Sequence, residues 1–464
     1  MRNSSKILIA GLVIASVTTG CGDFLSGPKL TTDPNKQQET RTPDQYFVPI
    51  QANTWFLNEG QLARTAAVWH QQMAGVQRQF SSLDIYSIGE GDLEGEWSNF
   101  YTGGGILDAR KLQAQVTSLG DRRYLGVAKI YEAWLIGTAA DVWGDVPYTE
   151  AVADKPTPAL DKQMAVYAAV EALLTSAIAD LSSGAGIGPC FADLVYTPTP
   201  GTCTAAKQAT QASKWVDFAH TLRARYYLHQ AEVTPSNYAL ALAEAQLGIK
   251  QGNDYLAFHS TLPAESNQWY QFTQVDRSGY MLAGEALVDT LKNRGDPRLA
   301  QYFAPNGSGA FIGSKPGENN DATASDLSAT RASPAFRQPL VTWRENQLII
   351  AEAAYRTGDN ATALTALNAV RADVGGAAYA TPFVGTGAPL LAEIMLQKWI
   401  EDFQKIESWQ DYNRTCLPNL TKAPGSTAIP GRYLYPSNER NSNPNIPAPS
   451  QQPARNQNDP NACP

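Results

Sequence analysis

The sequence predicts an all-α protein made of antiparallel helix pairs, with a loop-rich second portion packed against them. Three stretches carry this reading. Tyr124 to Ala140 sets Leu125, Ala128, Tyr131, Leu135 and Thr138 at three- and four-residue steps, the period of one buried helix face. Lys207 to about His229 does the same with Trp215, Phe218, Leu222 and Tyr226. Arg344 to Arg356 and Ala361 to Val374, joined by the turn Thr357-Gly358-Asp359-Asn360, form two amphipathic segments of repeat length.

Composition sets the frame for these elements. Of the 464 residues 43% are hydrophobic and 17% charged, so a large core is available and a disordered chain is excluded. The net charge is −8 with no basic block, which argues against a nucleic-acid partner.

The amino terminus reads as an export signal. Arg2 and Lys6 precede an apolar run from Ile7 to Ala15, too short to span a bilayer, and residues 1–20 are expected to be removed. Val17-Thr18-Thr19-Gly20 then leads into Cys21. Small residues ahead of a cysteine resemble a bacterial lipoprotein cleavage site, although Thr18 stands where such sites prefer Leu. Cys21 is therefore expected to be acylated, and several acyl chains would hold the protein firmly to a membrane. Residues 21–41, polar with Gly27, Pro28 and Pro34, read as an extended tether, and residues 42–464 as a single domain. Four further cysteines remain, an even number in an exported protein. Cys190 and Cys203 flank a Pro/Thr/Gly-rich excursion, and Cys416 and Cys463 would tie the tail to the last helical region, so two disulfides are expected.

In chain order, helical periodicity begins near Pro43 and passes through Trp55, Leu62, Ala66 and Trp69. Residues 77–95 look irregular and hold the alternating acids Glu90, Asp92 and Glu94, with Glu96 just beyond. Their spacing departs from the twelve-residue calcium loop and predicts a solvated acidic loop. Trp97, Tyr101, Ile106 and Leu107 begin the next helix. After Tyr124 to Ala140, Gly144 stops the helix, and Pro147 prevents its resumption by removing a donor and biasing Val146 to extended backbone. Asp161-Lys162-Gln163-Met164 is expected to cap a second helix reaching about Leu181, which leaves Trp143 and Tyr148 on a corner between the two. Ser236 is expected to cap the partner of Lys207 to His229, and Gly252 to end it. Residues 253–340 are the least regular. In the last pair Ala351, Ala353 and Ala354 face Ala363, Ala366 and Leu367, and such small residues permit the close approach of tetratricopeptide-type pairs. A final helix is expected over Leu390 to Lys405.

Catalytic patterns are not evident. His70, His220, His229 and His259 form no H-E-x-x-H, and no G-x-S-x-G elbow or phosphate-binding glycine loop occurs. Asp141, Asp145 and Glu150 lie at a helix end and turn, where acids usually cap. No enzyme activity, metal or cofactor is expected. Aromatic residues outside helical faces point instead to ligand binding, because exposed rings stack on flat ligand faces while neighbouring amides bond to ligand edges. The candidates are Trp269, Tyr270 and Phe272 with Asn267, in Asn267-Gln268-Trp269-Tyr270-Gln271-Phe272, and Phe80 and Tyr86. Trp269, between Asn267 and Gln271 in a segment without helical periodicity, is the first choice.

Several stretches also resemble one family. Asp141-Val142-Trp143-Gly144-Asp145-Val146-Pro147-Tyr148-Thr149-Glu150-Ala151 looks like the D-x-[WY]-G-D-V-P-Y-[ST]-E-A elbow of the SusD/RagB family of nutrient-binding outer-membrane lipoproteins. Lys214 to Arg225, Asp296-Pro297-Arg298-Leu299, Trp409 to Arg414 and Ile429 to Pro436 are similar to that family's later segments. The resemblance implies a fold of about four tetratricopeptide-like pairs. It also implies an outer-membrane surface protein that binds an oligosaccharide, or a peptide, and passes it to a SusC-like TonB-dependent transporter. Rival readings of a different class are a surface glycoside hydrolase and a purely structural repeat scaffold.

Overall fold

The computed structural model describes residues 41–460 and 463. The signal segment, Cys21 and the tether up to residue 40 lie outside the described residues. The body from Pro43 onward is built on helices α1 (Pro43–Glu59), α2 (Gln61–Trp69), α3 (Gln79–Asp84), α4 (Glu94–Tyr101), α5 (Ile106–Ser118) and α6 (Arg122–Trp143). They are followed by α7 (Gln163–Ser182), α8 (Ala205–Gln230), α9 (Asn237–Gln246), α10 (Gln268–Tyr270), α11 (Glu285–Arg294) and α12 (Arg298–Tyr302). The last are α13 (Trp343–Arg356), α14 (Asn360–Val374), α15 (Ala388–Glu401), α16 (Glu407–Thr415) and α17 (Ser437–Ser442).

Four antiparallel pairs, α1/α5, α6/α7, α8/α9 and α13/α14, pack side by side: α5 lies on α6, α7 on α8, and α9 on α13. The fold is therefore helical and tetratricopeptide-like, with the expected helix pairs. The small-residue face works as anticipated, since Ala351, Ala353, Ala354, Ala363 and Leu367 are all fully buried where α13 meets α14.

The elbow between α6 and α7 shows how local chemistry places elements. Asp121 caps α6 by accepting from the Tyr124 amide at 3.0 Å, and Gly144 ends it at φ 78°, a conformation costly for other residues. Asp161 does not cap α7 as expected. Asp145 accepts from the Gln163 amide at 2.9 Å and so caps α7, while Asp161 accepts from the Tyr148 and Thr149 amides and holds the corner. Each carboxylate reaches across the bridge Val146↔Asp161 to serve the opposite strand of the loop. Trp143 is buried, and its indole donates to the Leu434 carbonyl at 2.9 Å, so the corner also receives the C-terminal segment.

Other boundaries move for identifiable reasons. α9 ends at Gln246, not Gly252, and Ser236 makes no side-chain cap. The chain must leave the helix there because Gly248 presses on α8 and α13: a Cβ would stand 2.3 Å from both Thr221 Oγ1 and Asn346 Oδ1. α15 stops at Glu401. The region 253–340 is more ordered than its composition suggests. It supplies β3 (Met281–Ala283), antiparallel to β1 (Met73–Gly75) with Met73 opposite Ala283, and β2 (Tyr255–Leu256), antiparallel to β4 (Pro339–Val341). These two-stranded pairs fasten the loop-rich portion to the helical body.

Buried ions join the helices. Lys398 (α15) and Arg414 (α16) both contact Glu352 (α13) and Asp411 (α16). Nearby, Arg225 pairs with Glu345 and Glu407, and Lys405 with Glu345 and Asp402. All these groups are almost completely buried, so each depends on its partners to offset the loss of hydration. Among the described residues two disulfides form, Cys190–Cys203 closing the excursion before α8 and Cys416–Cys463 fixing the tail after α16.

Candidate functional site

A groove of about 860 Å³ opens where α2, α3, the start of α4 and the segment after α10 converge. α2 contributes Gln61 and Arg64, and α3 contributes Gln79 and Phe80. Glu96 comes from α4 and Phe272, Asp276 and Arg277 from the far side. The last three belong to, or directly follow, a π-helical turn over Gln271–Asp276 that continues α10, a distortion frequent at functional sites.

Two of the aromatic candidates meet here. Phe80 and Phe272 have ring centroids 4.8 Å apart at 56°; Phe80 is buried and backs the half-buried Phe272. Arg64 lies over the Phe272 ring with its guanidinium carbon 4.5 Å from the centroid. Its protein hydrogen bonds are long: 3.3 Å to Gln61 Oε1 and 3.4 Å to the Gln268 carbonyl. Arg64 is only 8% exposed; burial pushes its pKa down, with Glu96, Glu59 and Asp276 opposing, to about 10, so it stays charged at neutral pH. Glu96, 9% exposed, has its carboxyl raised by burial. A donor and an acceptor thus face one groove beside an aromatic ring. Two arginines, Arg64 and Arg277, stand against Asp92, Glu96 and Asp276, so neither sign dominates.

The other candidates serve the structure. Trp269 is fully buried, its indole donating to the Gln404 carbonyl at 3.1 Å and its ring beside Phe403. It presents no free face, which corrects the expectation that it stacks on ligand. The segment is helical after all, because Asn267 caps it: Asn267 Oδ1 accepts from the Trp269 and Tyr270 amides, and its Nδ2 donates to the Phe336 carbonyl. Asn267 is buried in doing so and is likewise withdrawn from ligand contact. Tyr270 is half-buried and does not line the groove. Tyr86, at φ 66°, turns its hydroxyl to accept from the Ala423 amide at 3.1 Å and sits behind the groove wall.

The acidic loop is not merely solvated. Glu90 holds Arg440 through two contacts of 2.8 and 3.0 Å, and Glu94 accepts from Ser437 and Asn438, so the loop binds the start of α17. Among the described residues no group of three or more His, Cys, Asp or Glu is arranged to hold a metal ion. The elbow acids are engaged: Asp141 is buried between Tyr167 and His229, Asp145 caps α7, and Glu150 accepts from the Ala159 amide. His229, His259 and His220 each face a carboxylate, and His70 is buried against the Tyr412 ring.

Arg64 was missed by the sequence reading. Its signal is a lone cation within Leu62-Ala63-Arg64-Thr65-Ala66-Ala67-Val68, where every other residue is apolar or a small hydroxyl. Glu96 is one of four alternating acids, and nothing in the sequence separates it from Glu90 and Glu94, which bind the start of α17.

With the geometry in place, comparison with known proteins gives the class. A SusD-like family model described as starch-binding and associating with the outer membrane matches residues 34–436. The chain belongs to that SusD-like family. Among solved structures it is similar to a SusD/RagB family protein from Bacteroides thetaiotaomicron at 19% identity and TM-score 0.70, with 88% of this chain and 95% of that one covered. It is also similar to a chitin-binding SusD homologue from Flavobacterium johnsoniae at 20% identity and TM-score 0.73, over 90% and 99% of the two chains. A chitin-binding protein matches at 21% identity and TM-score 0.76, over 90% and 100%. No curated protein sequence matches the chain.

Proposed function

We propose that the protein is a cell-surface lipoprotein that captures a neutral oligosaccharide in the Phe272 groove and delivers it to a SusC-like TonB-dependent outer-membrane transporter. The observation that carries the reading is the meeting of Arg64, Glu96 and the Phe80–Phe272 ring pair around a groove of about 860 Å³, in a chain of the SusD-like family. A sugar offers an apolar ring face to Phe272, hydroxyl oxygens that accept from Arg64 and hydroxyl hydrogens that Glu96 accepts. The near balance of charge around the groove favours a neutral ligand over a uronate or sulfated one. Similarity to two chitin-binding structures makes N-acetylated sugars the first ligands to try. The role is binding, not turnover, since the acids of the elbow are occupied as caps and ion-pair partners. Acylation of Cys21 would hold the protein at the outer leaflet.

Affinity electrophoresis through gels containing glycol chitin, amylopectin or hydroxyethyl cellulose tests the reading. Retardation by at least one polymer, abolished by Phe272→Ala, is the expected result. Equal mobility in all gels, or retardation untouched by Phe272→Ala, would count against it.

A further inference from the structure

A second groove, about 670 Å³, is lined by Gln71, Ala286, Pro316, Gly317, Leu420 and Thr421, among others. Residues 82–88 form a ridge that touches the lining of both. Residues Ser82, Leu83, Ser87 and Ile88 line the first groove, while Ile85, between them in the chain, packs beside Gly317, which lines the second. A Cβ built on Gly317 would stand 3.2 Å from Ile85 Cγ2 and 3.6 Å from Pro424 Cδ, so the ridge and the far groove are in direct contact.

The ridge is held rigidly from both sides. Asp84 accepts from the Gly75 amide at 3.0 Å and the Gly317 amide at 2.6 Å, and Tyr86 accepts from the Ala423 amide at 3.1 Å. Between these anchors Ile85 is left 46% exposed, a large apolar side chain at the crest that the fold does not cover. Chain segments from both lining walls of the second groove are therefore bolted to the back wall of the first.

The chemistry of the second groove matches that of the first in kind but not in strength. Pro316, Leu420 and Pro424 supply apolar surface without an aromatic ring, and Asn419 and Thr421 supply an amide and a hydroxyl group. Its charges are already engaged: Lys315 with Glu285 at 3.6 Å, Asp289 with Lys292, and Lys422 with the Thr427 carbonyl. Nothing there demands a charged ligand.

We infer that the second groove is an extension subsite for the same neutral glycan, whose chain crosses the ridge at Ile85 and continues beyond the first groove. The inference rests on the glycan-binding reading of the first groove and adds to it a dependence on chain length. A chain bound in the first groove presents its next units to the second at high effective concentration, so a weak subsite still raises affinity.

Calorimetric titration with trimers and octamers of the N-acetylchito, malto and cello series tests it, on the wild-type protein, Thr421→Trp and Ile85→Ser. Thr421 is exposed, and its backbone carbonyl, the acceptor for Gln71, survives substitution, so Thr421→Trp fills the groove without touching the core. The expected result is that the octamer of the bound series binds about tenfold more tightly than the trimer. Both variants should erase that advantage while leaving trimer affinity and melting temperature unchanged. Equal affinity for trimer and octamer, or an octamer advantage that survives Thr421→Trp, overturns the extension subsite alone. Failure of all three series to bind overturns the glycan reading and the extension together.

Discussion

The guanidinium of Arg64 lies over the ring of Phe272, 4.5 Å from its centroid, although the two residues come from opposite ends of the chain's first two-thirds. Arg64 is fixed on α2, whose neighbours are buried, whereas Phe272 rides on a π-helical turn that projects it over the arginine. The contact leaves the charged nitrogens with long protein bonds and free capacity towards the groove.

Arg64→Leu is expected to weaken glycan binding by about 2 kcal/mol, the value of hydrogen bonds to a charged group, while retaining apolar packing beneath Phe272. Titration of the glycan retained in the affinity gels gives the affinity, and thermal unfolding gives the control. A fall in melting temperature without a change in affinity would make Arg64 a structural residue.

Trp269→Ala is expected to act on stability. Its ring fills the space beside Phe403 and its N–H bonds to Gln404, so truncation should cost about 3–5 kcal/mol. Denaturant unfolding measures this; normal stability with lost binding would restore Trp269 as a recognition residue.

The contrast between these two residues shows where sequence reading succeeds and where it stops. The helix pairs were legible because apolar spacing and the Gly144–Pro147 break act locally, over a turn or two of chain. The groove was partly legible: Phe80 and Phe272 were both candidates, yet only folding brings them to 4.8 Å. Trp269 misled because its burial is decided by Phe403 and Gln404, far away in sequence, and because Asn267 supplies a cap that periodicity does not reveal. The roles of Asp145 and Asp161 are of the same kind: both acids lie at the elbow, but which amide each serves depends on how the loop closes.

His229 makes alkaline stability testable. Burial would lower its pKa, but Asp141 at 3.0 Å and Glu407 at 2.8 Å outweigh that and raise it to about 9. A folded pKa above the unfolded value near 6.5 means the stabilisation is complete below about pH 6.5 and is lost as pH rises through 9. The amount is on the order of 3 kcal/mol. Urea unfolding of the wild type and His229→Gln between these limits should show the difference narrowing as pH rises; a constant difference would contradict an imidazolium at this position.

The disulfides should stabilise through their loops. Closing the thirteen-residue separation of Cys190 and Cys203 is worth about 3 kcal/mol, and the longer Cys416–Cys463 loop somewhat more. Non-reducing peptide mapping should recover these two linkages, and paired serine substitutions should lower the unfolding midpoint. Other linkages, or free thiols, would refute the pairing.

Cys21→Ser is expected to release the protein from the membrane fraction with its melting temperature unchanged. Membrane association that persists, with an unacylated mature terminus, would exclude the lipid anchor.

The position of a bound glycan is the most direct test of the Phe272 groove. A crystal structure of the protein with an oligosaccharide of the series that retards it in affinity gels measures this directly. The account predicts a sugar ring against Phe272, with hydroxyl groups within hydrogen-bond distance of Arg64 and Glu96. A sugar bound at full occupancy elsewhere, with the Phe272 groove empty, would contradict it.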